Sequence, residues 1–193
     1  MGALVLLSGF TQKDNVNLIK RMKEIFLDRK YTMSYIPSIT DKKLESFKNT
    51  KMQLREYGNF EFNYFDIDDF CSMDKIDAIF KSDVIYLSGG NAYYFLNNLK
   101  KRYFITRLRR YVKNGGCIIG LCAGAIMMAN DISAAQFGGE DIVGLSNLSS
   151  LALVDFNFMP HWNKSSKYLD DIKKYSNNKI GRASCRERVY GEC

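Results

Sequence analysis

The sequence predicts an α/β fold, a mostly parallel sheet flanked by helices on both faces in three layers. Three observations predict it. Short apolar runs alternate with amphipathic stretches along the chain, the pattern of strands joined by helical crossovers. Two of the runs end in glycine-rich turns, Ser88-Gly89-Gly90-Asn91 and Gly120-Leu121-Cys122-Ala123-Gly124. Only two prolines, Pro37 and Pro160, occur in 193 residues, with no long linker. One domain with a sizeable core is therefore expected.

The elements follow in order. Ala3 to Leu7 reads as the first strand, and a helix is predicted from Asp14, a candidate cap, to Asp28. Val16, Ile19, Met22 and Phe26 mark its inward face. Tyr31 to Ile36 is the second strand and stops at Pro37. A second helix is expected from about Asp41 to Tyr57 on the repeat Leu44, Phe47, Lys51 and Leu54, with Lys51 the imperfect member. Asn59 to Phe65 is a third strand, Met73 to Phe80 a short helix, and Asp83 to Leu87 a fourth strand. After Asn91, a candidate helix cap, comes another helix. Gly116 to Gly120 is the fifth strand, and a helix follows the second glycine turn. Beyond it, Gln136 to Val143 looks like a loop, and Leu151 to Phe158 like a further strand ending at Met159-Pro160-His161-Trp162.

Composition narrows the function. A hydrophobic content of 46% excludes a wholly disordered chain. No run of 18 uncharged apolar residues exists, so no membrane span is expected. The first residues lack the basic segment of a signal peptide, and Gly2 leads into a core strand rather than a lipid attachment site. The net charge of +7 raises nucleic-acid binding. Its densest run, Lys100 to Arg102 and Arg107 to Lys113, falls on a helix, however. Phe104, Leu108 and Tyr111 or Val112 can face inward there while the arginines face water. A solvated face is expected, with no nucleic-acid partner.

The five cysteines, Cys71, Cys117, Cys122, Cys185 and Cys193, form no Cys-x-x-Cys pair, and their number is odd. Reduced thiols and a cytoplasmic location are expected. With one histidine an ordinary zinc site is improbable; neither metal nor cofactor is anticipated. Cys117, inside an apolar run, reads as a core residue.

Cys122 is different. A Gly-x-nucleophile-x-Gly run between strand and helix can hold a reactive side chain on a tight, exposed corner. Thiolates are nucleophiles, and a helix N-terminus can lower a thiol pKa. His161 is the single candidate base. Asp131, Glu140, Asp141 and Asp155 are candidate acids to orient it. A backbone N–H of the Gly89-Gly90-Asn91 turn and the N–H of Ala123 could converge on an oxyanion. The Walker pattern of a phosphate loop is absent. The structural readings remain beside these: a small buried cysteine, a surface histidine, a capped turn.

Three separated motifs, Tyr86-Leu87-Ser88-Gly89-Gly90-Asn91, Gly120-Leu121-Cys122-Ala123-Gly124-Ala125, and Leu153-Val154-Asp155-Phe156 with Pro160-His161, together resemble the peptidase E family. That family comprises aspartyl dipeptidases and relatives, cyanophycinase among them. The resemblance spans roughly residues 1 to 175. It implies a flavodoxin-like sheet similar to that of class I glutamine amidotransferases, and amide hydrolysis in short peptides by a nucleophile, histidine and acid. The family serine falls on Cys122 and its histidine on His161. Its acid falls best on Asp141, with Glu140 next and Asp131 after it. Gly90 and Ala123 would be the oxyanion donors. The implied substrates are short peptides, those beginning with Asp among them, and the chain is expected as a monomer or homodimer.

Two features depart from the family. Cysteine stands where the family has serine, which also brings the site near glutamine amidotransferases; amide transfer or glutaminase chemistry is one alternative reading. A catalytically inactive descendant that binds a small molecule or peptide is another. Trp162 and Asn163 follow the histidine, so the amidotransferase His-x-Glu pair is missing. Residues 180–193, beginning Ile180-Gly181-Arg182-Ala183-Ser184-Cys185, resemble a sequencing adapter translated in frame. On that reading the peptidase E-like domain is residues 1–179, and the remainder is a non-native tail.

Overall fold

The computed structural model describes residues 2–10, 16–26, 29–69, 72–161, 168–178 and 188–190. The chain runs β1 (Leu4–Leu7), α1 (Val16–Phe26), β2 (Lys30–Ile36), α2 (Glu45–Leu54), β3 (Asn59–Tyr64), α3 (Met73–Lys81) and β4 (Val84–Leu87). It continues with α4 (Ala92–Lys101), α5 (Phe104–Lys113), β5 (Cys117–Leu121) and α6 (Ala123–Ile126). A 3-10 turn (Ser133–Phe137), α7 (Leu169–Asn178) and β6 (Arg188–Tyr190) complete the described elements. The sheet order is β3-β2-β4-β5-β1-β6. Five strands are parallel, and β6 runs antiparallel on β1.

Alternation along the strands makes the three layers. Leu4, Leu6, Ile36, Ile85, Leu87 and Ile118 face the core shared with α3, α4, α5 and α6. Val5, Leu7, Met33, Tyr35, Tyr86 and Ile119 face α1 and α2. Burial on both faces explains why β1 and β4 read as unbroken apolar runs rather than alternating ones. The basic helix α5 buries Phe104, Leu108, Tyr111 and Val112, as its period requires.

Several expectations need correction. In α1 the buried stripe is Leu18, Met22 and Phe26, whereas Val16 is 70% exposed; the inward face starts two residues later than the first apolar residue suggests. Helix α2 starts at Glu45, not Asp41, because Leu44 takes a left-handed φ of 56°. Asp41 still anchors it, accepting from the N–H groups of Glu45 (3.1 Å) and Phe47 (3.0 Å). Thr50 fills the inward place between Phe47 and Leu54. Lys51 instead lies over the rings of Phe47 and Phe62.

Leu151 to Phe158 is not a strand. Ala152 has a φ of 48°, and the first four residues of the segment spend their donors on the turn that follows α6. The N–H groups of Leu151, Leu153 and Val154 donate to Met127, Met128 and Met128 carbonyls, and that of Ala152 to Ala129. Apolar burial drives this strap as it would a strand, with Leu151 and Phe158 fully buried, so composition alone does not separate the two. Asp14, Cys71, Trp162 and Cys185 lie outside the described residues, as do residues 180–187 and 191–193 of the tail.

One polar knot ties the amino ends of the strands. Asp83 accepts from Thr32 N, Thr32 Oγ1 and Arg29 Nη2, each at 2.8 Å. Arg29 and these donors hold its carboxyl at about 2. A depressed carboxyl stabilises the fold above its unfolded pKa and loses that contribution as pH falls towards its folded value. Asp83→Asn should therefore cost about 1–2 kcal/mol at pH 7 in urea unfolding. It should also flatten the fall in stability between about pH 4 and pH 2.

Candidate active site

The carboxyl ends of β1, β4 and β5 meet at one point, the usual ligand side of a parallel sheet. There the chain turns from β5 into α6 through Cys122, at φ 51° and ψ −106°. That conformation is strained for a residue with a side chain, and its surroundings enforce it. The Cys122 N–H donates to Leu7 O (2.8 Å), and Cys122 O accepts from Ala125 and Ile126 (3.1 Å each). Gly124 N donates to Ser88 O at 3.0 Å. The flanking glycines follow from this crowding: a Cβ on Gly120 would lie 2.5 Å from Gly124 O, and one on Gly124 2.1 Å from Leu87 O. The helix beyond the elbow is a single turn, so its dipole adds little and the individual N–H groups matter more.

Two backbone N–H groups, those of Ala123 and Gly90, act on the Cys122 sulfur and favour its thiolate. They lower the thiol pKa, but burial raises it more, and the net direction is upward from the ordinary value. The resting side chain is thus a thiol. Gly90 adopts a φ of 138°, open to glycine, and a Cβ there would lie 2.0 Å from Ser38 Oγ.

Cys122 lines a cavity of ≈ 730 Å³ together with Gly90, Asn91, Glu140, Pro160 and His161. Ile126, Ala134, Ala135, Phe137 and Met159 form an apolar wall. His161 reaches the cavity at the end of the strap rather than of a strand. Its N–H donates to Ser8 Oγ (2.8 Å), and Cε1 of its ring would lie 3.8 Å from a Cβ on Gly9, which places the imidazole beside the end of β1. Asn91 bridges the rims: its Oδ1 caps α4 through Tyr94 N (2.9 Å), and its Nδ2 donates to Glu140 O (2.9 Å).

The candidate acids are placed differently from one another. Glu140 borders the cavity. Asp141 turns its carboxylate into its own loop, accepting from Val143, Gly144 and Leu145 N–H groups at 2.8–3.1 Å. Asp131 accepts from Ser133, and Asp155 is exposed on the strap. No Lys or Arg is among the described residues lining this cavity. Nor, among the described residues, is there a cluster suited to a metal ion or a helix long and apolar enough to cross a membrane.

Sequence reading missed several groups that build the site. Ser38 and Ser88 hold the Gly89 carbonyl, at 2.7 and 2.9 Å. Arg109 was expected to face water, but it donates to Leu151 O (2.7 Å) and Ser150 O (2.6 Å), fixing the strap that carries His161. The available signal for Ser38 was its position after Pro37, where β2 ends beside the glycine turn. A second cavity, ≈ 680 Å³ at the opposite end of the sheet, has Arg29 and Arg107 already paired with Asp83 and Asp77. Its cysteine, Cys117, is pushed up to about 12 by burial.

Comparison with known proteins identifies the family and the fold. An uncharacterized peptidase of Listeria monocytogenes is 33% identical over 87 residues, 44% of this chain and 42% of its own length. The uncharacterized peptidase YgaJ of Bacillus subtilis is 34% identical over 92 residues, 47% of this chain and 37% of its own. A probable pyridoxal 5'-phosphate synthase subunit of Dictyostelium discoideum is 26% identical over 148 residues, 75% of this chain and 47% of its own. The matches thus span less than half the length of these curated relatives. A crystal structure of a protein assigned as a peptidase E, from Listeria monocytogenes, shares the fold with a TM-score of 0.76 at 24% identity, covering 100% of both chains. The model of peptidase family S51 matches residues 4–183. The chain belongs to peptidase family S51.

Proposed function

We propose that this protein hydrolyses an amide bond in short peptides, with Cys122 as nucleophile and His161 as base. The observation that carries the reading is the strained Cys122 corner, with the N–H groups of Gly90 and Ala123 at its sulfur in a cavity shared with His161. His161 takes the thiol proton, and the sulfur attacks the substrate carbonyl. The same two N–H groups then meet the oxyanion, where such donors are worth roughly 3–4 kcal/mol each. The protonated imidazole hands its proton to the leaving amine, and water resolves the acyl-enzyme. The chemistry needs these two side chains; Asp141 would have to leave three backbone donors to serve as the orienting acid, while Glu140 already borders the cavity. Glutamine-dependent ammonia release is a second reading, favoured by cysteine rather than serine at the elbow.

Three outcomes test this. Cys122→Ala should lower peptide turnover by at least ~10³-fold with an unchanged melting temperature; full turnover in that variant would sink the proposal. Because burial keeps Cys122 a thiol whose proton must pass through His161 to the leaving amine, kcat/KM should be low at acid pH, where the imidazole already carries a proton, and fall again in the alkaline range as thiolate forms with no proton to pass on. A preformed thiolate–imidazolium pair would instead give a plateau from acid pH. Finally, an apolar wall without a cation among its described residues should accept peptides with an apolar first residue at least as fast as those with N-terminal Asp. A strict Asp requirement in a dipeptide panel would contradict that, and ammonia from glutamine without peptide cleavage would select the second reading.

A further inference from the structure

The Gly90 N–H can serve Cys122 only if its peptide plane faces the sulfur, and a Gly-Gly turn does not choose that orientation by itself. Two hydroxyls choose it. The Gly89 carbonyl accepts from Ser38 Oγ at 2.7 Å and Ser88 Oγ at 2.9 Å, filling both lone pairs. Ser38 N in turn donates to Ser88 Oγ at 2.7 Å, and Ser88 N to Ile36 O at 3.0 Å. The bond between Gly89 and Gly90 is trans, so its C=O and N–H point in opposite directions. A carbonyl drawn towards Ser38 therefore turns the N–H towards Cys122. Rotating the peptide would leave the buried Ser38 hydroxyl, 3% exposed, without its acceptor. It would also aim a carbonyl oxygen at the developing charge.

We infer that Ser38 is a positioning residue: its hydroxyl holds the Gly89–Gly90 peptide with the N–H facing the Cys122 sulfur, so that β2 sets the oxyanion donor carried by the turn after β4. The inference rests on the proposed Cys122 chemistry, but its main readout does not require peptide hydrolysis. That readout is the pH dependence of Cys122 alkylation by iodoacetamide, followed by mass on the peptide that contains Cys122.

Ser38→Ala should raise the alkylation midpoint by about one pH unit, a roughly tenfold smaller thiolate fraction below it. Ser38→Thr, which keeps the hydroxyl, should stay near wild type. Peptide turnover in Ser38→Ala should fall about tenfold in kcat with KM little changed, the mark of a contact made in the transition state. A folded Ser38→Ala with the wild-type midpoint overturns the assignment. Should that variant not fold, Ser38→Cys keeps the volume with only a weak donor, and an unshifted Cys122 midpoint there overturns the assignment equally. A wild type that cleaves no peptide, with the shift intact in Ser38→Ala, overturns the hydrolase reading alone.

Discussion

The close approach of backbone to backbone at the elbow is the constraint on which the rest of the site depends. Gly120 and Gly124 have no room for a Cβ because the first turn of α6 lies directly on the end of β4. Any side chain there would lift α6 away from Leu87 and Ser88, breaking the Gly124 N–H bond to Ser88 O. The left-handed corner at Cys122, a strain of about 1–3 kcal/mol, is thereby held by three strands at once. Strain of that size persists only where its surroundings over-determine the geometry.

Electrostatics at the corner balance two opposed effects. Burial favours the neutral thiol, while the paired N–H groups favour the thiolate. The same burial that makes the sulfur hard to ionise keeps water from competing for those donors, which strengthens them towards any negative charge that forms there. Tyr86, fully buried and stacked on Tyr35 at 5.1 Å, packs on the side of the sheet covered by α1 and α2.

The sheet was legible because its signals are local and redundant. Ala3 to Leu7, Asp83 to Leu87 and the run before Gly120 are apolar on both faces, and each is bounded by turn residues. The elbow was legible because Gly-x-Cys-x-Gly encodes a steric requirement that few other sequences meet. The strap was not: Leu151 to Phe158 carries the composition of a strand, and only the left-handed Ala152 and the free carbonyls of Met127 and Met128 divert it. The supporting hydroxyls escaped for a similar reason. Ser38 and Ser88 are 50 residues apart, and nothing in either neighbourhood announces that they converge on one carbonyl. Long-range partnerships of small polar residues leave no periodic trace.

The strap has one more consequence. Its amide groups are bonded to the turn that follows Cys122, not to a strand, so the histidine and the cysteine are carried by a common frame. Breathing of the outer sheet, where three-residue β6 lies on β1, would reach the imidazole mainly through Ser8 and Gly9, and the strap would oppose it. Both residues also rest on the end of β1, the Cys122 N–H on Leu7 O and the His161 N–H on Ser8 Oγ. A shift of β1 would therefore carry sulfur and ring together.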